Sequence, residues 1–237
     1  MSPMGDRCLD RPGAMLRGEE AGAGPTVLLL HAGGERRSVW RPVIDVLTAA
    51  GFRCVAYDQR GHGDSGGAAR ALAPCAGDVA AMVAAEPAGC VLVGASLGGL
   101  ATIAALRDPA VRARVAGLAL VDVVPDADPD RVREFLSEAR GYGRYREIVD
   151  DIFAQLPRLR ATAVELDLPV LLIRAGGASP LTDGDTARFL RAVPHAAVTT
   201  IEDAGHLVAR EQPVALAEVL SAALSEWTLP TECPATR

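Results

Sequence analysis

Short apolar runs alternate with amphipathic stretches along most of this chain. Runs near 26–31, 52–57, 90–94, 117–122, 169–174 and 196–201 are rich in Val, Leu and Ile and short enough to be buried strands. Helical spacing of apolar positions marks 38–50, 75–85, 97–107, 185–193 and 213–227. Strands separated by helices in this order predict an α/β fold, a mostly parallel sheet covered by helices on both faces. Residues 13–21 are expected to add one or two antiparallel edge strands, and no internal repeat is present.

One segment breaks the alternation. Residues 123–168 carry helical patterns near 129–140 and 144–154 with no strand between them. The chain therefore divides into a core of residues 1–122 and 169–229, an insertion at 123–168, and a flexible tail at 230–237. The first dozen residues are also expected to fray. Ligands of such sheets sit beyond the carboxyl ends of the strands. Gly33, Asp58, Ser96, Asp122, Gly177 and His206 all fall at or just after those ends.

Candidate chemistry starts at Gly94-Ala95-Ser96-Leu97-Gly98. Gly-x-Ser-x-Gly alone is a weak signal. Here it follows a β-branched run and precedes helix-forming residues, so a sharp strand-to-helix turn would lift Ser96 Oγ clear of the backbone. A Cβ at position 94 or 98 would collide with the neighbouring helix or strand, which accounts for the glycines. The alternative is a serine that merely caps a helix. A nucleophilic serine needs a base, and the chain has four histidines. His206 lies in a loop between the last apolar run and the last helix, where an imidazole can reach Ser96. His31 ends a strand and is expected to bond loop backbone, His62 sits in a Gly-His-Gly turn, and His195 reads as an ordinary loop residue.

Five elements in order now resemble the α/β-hydrolase superfamily over about residues 25–228. They are His31-Ala32-Gly33-Gly34, Trp40 on the next helix, Asp58-Gln59-Arg60-Gly61-His62-Gly63-Asp64-Ser65, the turn around Ser96, and Ala204-Gly205-His206. The resemblance implies an α/β-hydrolase fold with a short helical lid at 123–168. It implies Ser96 as nucleophile and His206 as general base. The Leu97 N–H and a backbone N–H at Gly33, or alternatively Gly34 or Ala32, would form the oxyanion site, with Trp40 among the substrate-binding residues. No cofactor or metal is called for.

Two positions depart from the family pattern. His-Gly is replaced by His31-Ala32. After the strand ending near Ile173, where the family usually places the triad aspartate, Ser179 or Pro180 stands instead. We assign the acid to Asp122, at the end of the preceding strand. Asp183 is the main rival, although Thr182-Asp183-Gly184-Asp185 also reads as a helix cap. A Ser-His dyad without an acid is the third option.

Composition narrows the partners. The 237 residues carry a formal charge of −6, and every one of the 24 basic residues is arginine. A mildly acidic chain without a basic stripe excludes nucleic acid as the expected partner. Five cysteines without metal-type spacing, no apolar leader and no membrane-spanning run predict a cytoplasmic protein with no membrane contact. Four of the nine aromatic residues (Phe135, Tyr142, Tyr145 and Phe153) fall in the insertion and are expected to line an apolar pocket. The function expected is a cofactor-free serine hydrolase acting on a small-molecule ester, thioester or lactone. Serine at the turn argues against the epoxide and haloalkane branches, which use aspartate there. The alternatives are a binder or non-hydrolytic catalyst on the same fold, or a carbon–carbon hydrolase or acyltransferase using the same pocket.

Overall fold

Strands occupy Gly5–Arg11 (β1), Ala14–Ala21 (β2), Thr26–Leu30 (β3), Arg53–Tyr57 (β4), Cys90–Ala95 (β5), Val115–Val121 (β6), Val170–Ala175 (β7) and Ala197–Ile201 (β8). The structure, a computed structural model, describes residues 4–138 and 142–228, so the tail expected at 230–237 lies outside them. The strands form one sheet in the order β1-β2-β4-β3-β5-β6-β7-β8. All pairs are parallel except β1 with β2 and β2 with β4.

Helices follow at Arg41–Ala49 (α1), Leu72–Ala84 (α2), Leu97–Ala105 (α3), Pro109–Arg112 (α4) and Pro129–Ser137 (α5). The remainder are Arg146–Val164 (α6), Asp183–Ala192 (α7), Val208–Glu211 (α8) and Pro213–Trp227 (α9). Alternate strand residues feed two cores. Leu28, Leu30, Val55, Leu92, Leu118, Leu120 and Leu172 face α2, α3 and α6. Val27, Leu29, Val91, Val93, Ala119, Val121 and Ile173 face α1 and α9, where Leu216, Leu220 and Leu224 are fully buried. Each Val, Leu or Ile among them contributes about 1.5–3 kcal/mol on burial. That double burial is why the central strands read as continuous apolar runs.

The amino-terminal expectation needs correction. Residues 5–11 are paired along their length with β2 rather than frayed. The inward face of β1 is Arg7, Leu9 and Arg11, and its guanidinium groups meet the buried carboxylates of Glu86 and Asp78. A strand whose inner face carries charge has no hydrophobic signature. Helix α6 also runs ten residues past its expected end at 154, through Pro157. Buried Leu159, Thr162 and Ala163 hold it in the core beside α2 and α3 and outweigh the lost proline donor. Cys54, Cys75 and Cys90 are buried and unpaired; burial pushes their thiols up to about 12, 12 and 11. Among the described residues no helix is long and apolar enough to cross a membrane.

Candidate active site

Ser96 stands between the end of β5 and the first residue of α3, with φ at 48°. The turn is sharp because three glycines let its walls touch. A Cβ on Gly94 would lie 2.5 Å from Gly99 Cα, one on Gly98 2.5 Å from the Leu30 carbonyl oxygen, and one on Gly99 2.6 Å from Val123. Gly99 was not singled out by the motif, yet its contact is as close as the others. Asp122 stands one residue past β6 with φ at 49°. Strands β5 and β6 pair in register, Ala95 with Val121, so Ser96 and Asp122 leave adjacent strands side by side. Among the described residues these two are the only non-glycine positions with positive φ. Holding each there costs about 1–3 kcal/mol, and such strain gathers at functional sites.

The Asp122 carboxylate is buried and fully engaged. Oδ1 accepts the Ala175 N–H at 3.0 Å, while Oδ2 accepts the Ser179 hydroxyl at 2.6 Å and faces His206 Nδ1 at 2.8 Å. A carboxylate on Nδ1 makes that nitrogen the N–H and leaves Nε2 with its lone pair. The His206 loop is pinned from behind: its N–H donates to the Ala178 carbonyl at 2.8 Å. Phe135 of α5 meets the imidazole edge-on, ring centres 5.4 Å apart. No hydrogen bond joins Ser96 Oγ to His206 among the described residues, although both line one cavity. Contacts of this kind commonly tighten only around a substrate.

Gly33 lies against the start of α3, its Cβ direction 3.8 Å from Leu97. Ala32, Gly33 and Gly34 all border the cavity with Leu97. The first residue of a helix has no intrahelical acceptor for its N–H, so the Leu97 donor is available beside Ser96. Trp40 does not belong to the site. It is fully buried in the core beneath α1, on the face opposite α3 and α6, and does not reach the cavity. Its place just before the first helix says nothing about which way the indole points. Asp183 is not brought to the imidazole either. It starts α7, is exposed, and pairs with Arg174 at 2.8 Å. The capping box of that helix belongs to Thr182 and Asp185.

The cavity measures about 570 Å³, within the range of small-molecule sites. The insertion supplies much of its wall, including Phe135, Tyr145, Ile148, Ile152, Phe153 and Leu156. Apolar side chains dominate the lining; among the described residues the charged ones are Asp122, Glu138, Glu211 and, when protonated, His206, with no arginine. Tyr142, expected in the wall, has no described side chain.

Two of the remaining histidines, His31 and His62, are buried and bonded to backbone. Gln59 N–H donates to His31 Nε2 at 3.0 Å, which puts the His31 proton on Nδ1 against the Ala32 carbonyl at 2.8 Å. His31 thereby ties the Ala32-Gly33 loop to the Gln59 turn. Burial pushes its imidazole down to about 4, and burial lowers His62 as well. His195 is exposed. Because the folded value for His31 lies below the ordinary 6.5, the unfolded chain takes up its proton first as pH falls. The stability due to neutral His31 is complete above about 6.5 and is lost progressively down to about 4, a total of about 3 kcal/mol. Urea unfolding at about pH 7 and about pH 4.5 should show that loss, and a smaller one for His31→Gln. Equal losses in the two proteins would remove His31 from the account.

The geometry agrees with comparisons to known proteins. The chain is 27% identical to an esterase of Mycobacterium tuberculosis, over 86% of this chain and 84% of that protein. A thermophilic esterase from Thermogutta terrifontis superposes with a TM-score of 0.74 at 22% identity, covering 95% of this chain and all of the other. A loop variant of a haloalkane dehalogenase from Bradyrhizobium elkanii gives 0.77 at 18% identity, covering 94% of this chain and 97% of the other. The two structures share the fold, and the mostly parallel sheet covered by helices is the one expected here from strand and helix alternation. With the model of the alpha/beta hydrolase family matching residues 27–219, the chain belongs to that family.

Proposed function

We propose that this protein is a serine hydrolase that cleaves an ester, thioester or lactone with an uncharged, apolar acyl group. The observation that carries the reading is the 2.8 Å contact of Asp122 with His206 in the cavity that also holds Ser96. In this reading His206 Nε2 takes the Ser96 proton as Oγ attacks the substrate carbonyl. The Leu97 and Gly33 N–H groups hold the oxyanion of the tetrahedral intermediate. The leaving group departs with the proton from His206. Water, activated by the same imidazole, then releases the acid from Ser96. Asp122 keeps the imidazole in the tautomer that can accept a proton and stabilises the imidazolium.

A serine at the turn supports acyl chemistry over the dehalogenase route of the structural neighbour, and a buried acid on His206 Nδ1 supports a catalyst over a binder. The insertion at 123–168 serves as lid, excluding water with its apolar wall. The described part of the cavity lining supports the substrate class, since a carboxylate entering it would lose water and meet acidic groups with no arginine among the described residues to pair with. The buried free thiols fit a cytoplasmic setting.

The test is turnover of p-nitrophenyl esters by purified protein. Uncharged acyl chains should be cleaved, and an acyl chain ending in a carboxylate should fall at least ~10-fold in kcat/KM. Equal turnover of the anionic ester would sink the substrate class. No turnover of any ester, thioester or lactone would sink the hydrolase.

A further inference from the structure

Ser179 is the residue that the hydrolase reading leaves unused. It stands in the loop after β7, and its hydroxyl donates to Asp122 Oδ2 at 2.6 Å, the oxygen that His206 Nδ1 uses. We propose that Ser179 is a positioning residue for the acid, fixing the carboxylate plane and drawing charge from the oxygen that faces the imidazole. The proposal rests on the triad described above.

The direction of the hydroxyl proton is fixed by its neighbours. Leu181 N–H donates to Ser179 Oγ at 3.0 Å, so the oxygen is occupied as an acceptor and its one proton is free for Asp122. Oδ1 is held by Ala175 N–H at 3.0 Å. One donor on Oδ1 and one on Oδ2 prevent rotation about Cβ–Cγ, so Oδ2 stays aimed at Nδ1. A hydrogen bond to a charged acceptor is about twice as strong as a neutral one. The charge it draws is subtracted from what Oδ2 offers to an imidazolium. The loop that carries Ser179 also carries Ala178, whose carbonyl accepts the His206 N–H. Acid and base are therefore registered against the same loop, although neither belongs to it.

Removing the hydroxyl predicts two changes. With one donor lost, Oδ2 bears more charge and favours the imidazolium, so His206 should titrate at higher pH in Ser179→Ala, by roughly half a unit. With the carboxylate less firmly held, kcat should fall about 10-fold with KM little changed, and the acid limb of kcat/KM should move with the titration. Ser179→Thr keeps the hydroxyl and should restore both. A merely structural serine would lower Tm and leave the titration where it was.

The experiment is NMR titration of the His206 imidazole in the wild type, Ser179→Ala and Ser179→Thr, with ester turnover measured on the same samples. An upward shift in the alanine variant that threonine reverses supports the proposal. An unmoved midpoint in Ser179→Ala overturns it, whatever the turnover. If the midpoint shifts but the wild type cleaves nothing, the positioning role stands and the hydrolase reading falls.

Discussion

Ser96→Ala is expected to leave a folded protein with ester turnover reduced ~10⁴-fold or more. The hydroxyl is the one atom removed. Alanine adopts the same left-handed φ at a comparable cost, so stability should change by no more than about 0.5 kcal/mol. The glycine contacts that build the turn involve residues 94, 98 and 99 and are untouched. Loss of activity at constant Tm therefore isolates the nucleophile. His206→Ala should match it in severity, and the double variant should be no worse than either alone, because groups acting as a unit do not add. Steady-state kinetics on the three proteins with one p-nitrophenyl ester make the comparison. Near-normal turnover in Ser96→Ala, or a mild His206→Ala beside a severe His62→Ala, would refute these roles.

Asp122→Asn is the second large effect, up to ~10⁴-fold in turnover. The geometry says why an isosteric change should be so severe. Ala175 N–H demands an acceptor at the Oδ1 position, so the asparagine oxygen settles there. Its NH₂ then takes the Oδ2 place and donates toward His206 Nδ1. That nitrogen must become the acceptor, the ring proton moves to Nε2, and the base facing Ser96 is gone. Asp183→Asn should stay close to wild type, because it loses only an exposed pair with Arg174 worth about 0–1 kcal/mol. Kinetics of the two variants side by side decide it. A severe Asp183→Asn with an active Asp122→Asn would move the acid to the start of α7.

The central sheet is legible in the sequence because each strand from β3 to β7 is a buried run with its own apolar signature. The edge is not. β1 turns Arg7 and Arg11 inward onto carboxylates 79 and 67 residues away, and only the tertiary fold pairs them. Ser96 is legible because strand, glycines and helix are all local. Asp122 is legible only as a strand end, since its meeting with His206 spans 84 residues. Trp40 misleads for the opposite reason: motif neighbourhood places it near the His31 loop, while the helix it precedes turns the indole into the far core. Ser179 carries a signal that reads as a gap. It occupies the place where an acid is expected, and its contact with the relocated acid emerges only when the loop after β7 is folded beside β6.

The most direct test of the central claim is covalent capture by a fluorophosphonate probe, with peptide mapping by mass spectrometry to locate the adduct. An activated serine beside an oxyanion site reacts with such a probe and an ordinary helix-capping serine does not. Wild-type protein is predicted to take up one equivalent on Ser96, with labelling lost in Ser96→Ala and slowed ~10³-fold or more in His206→Ala. An unlabelled wild type, or an adduct carried by any other side chain, would contradict the account.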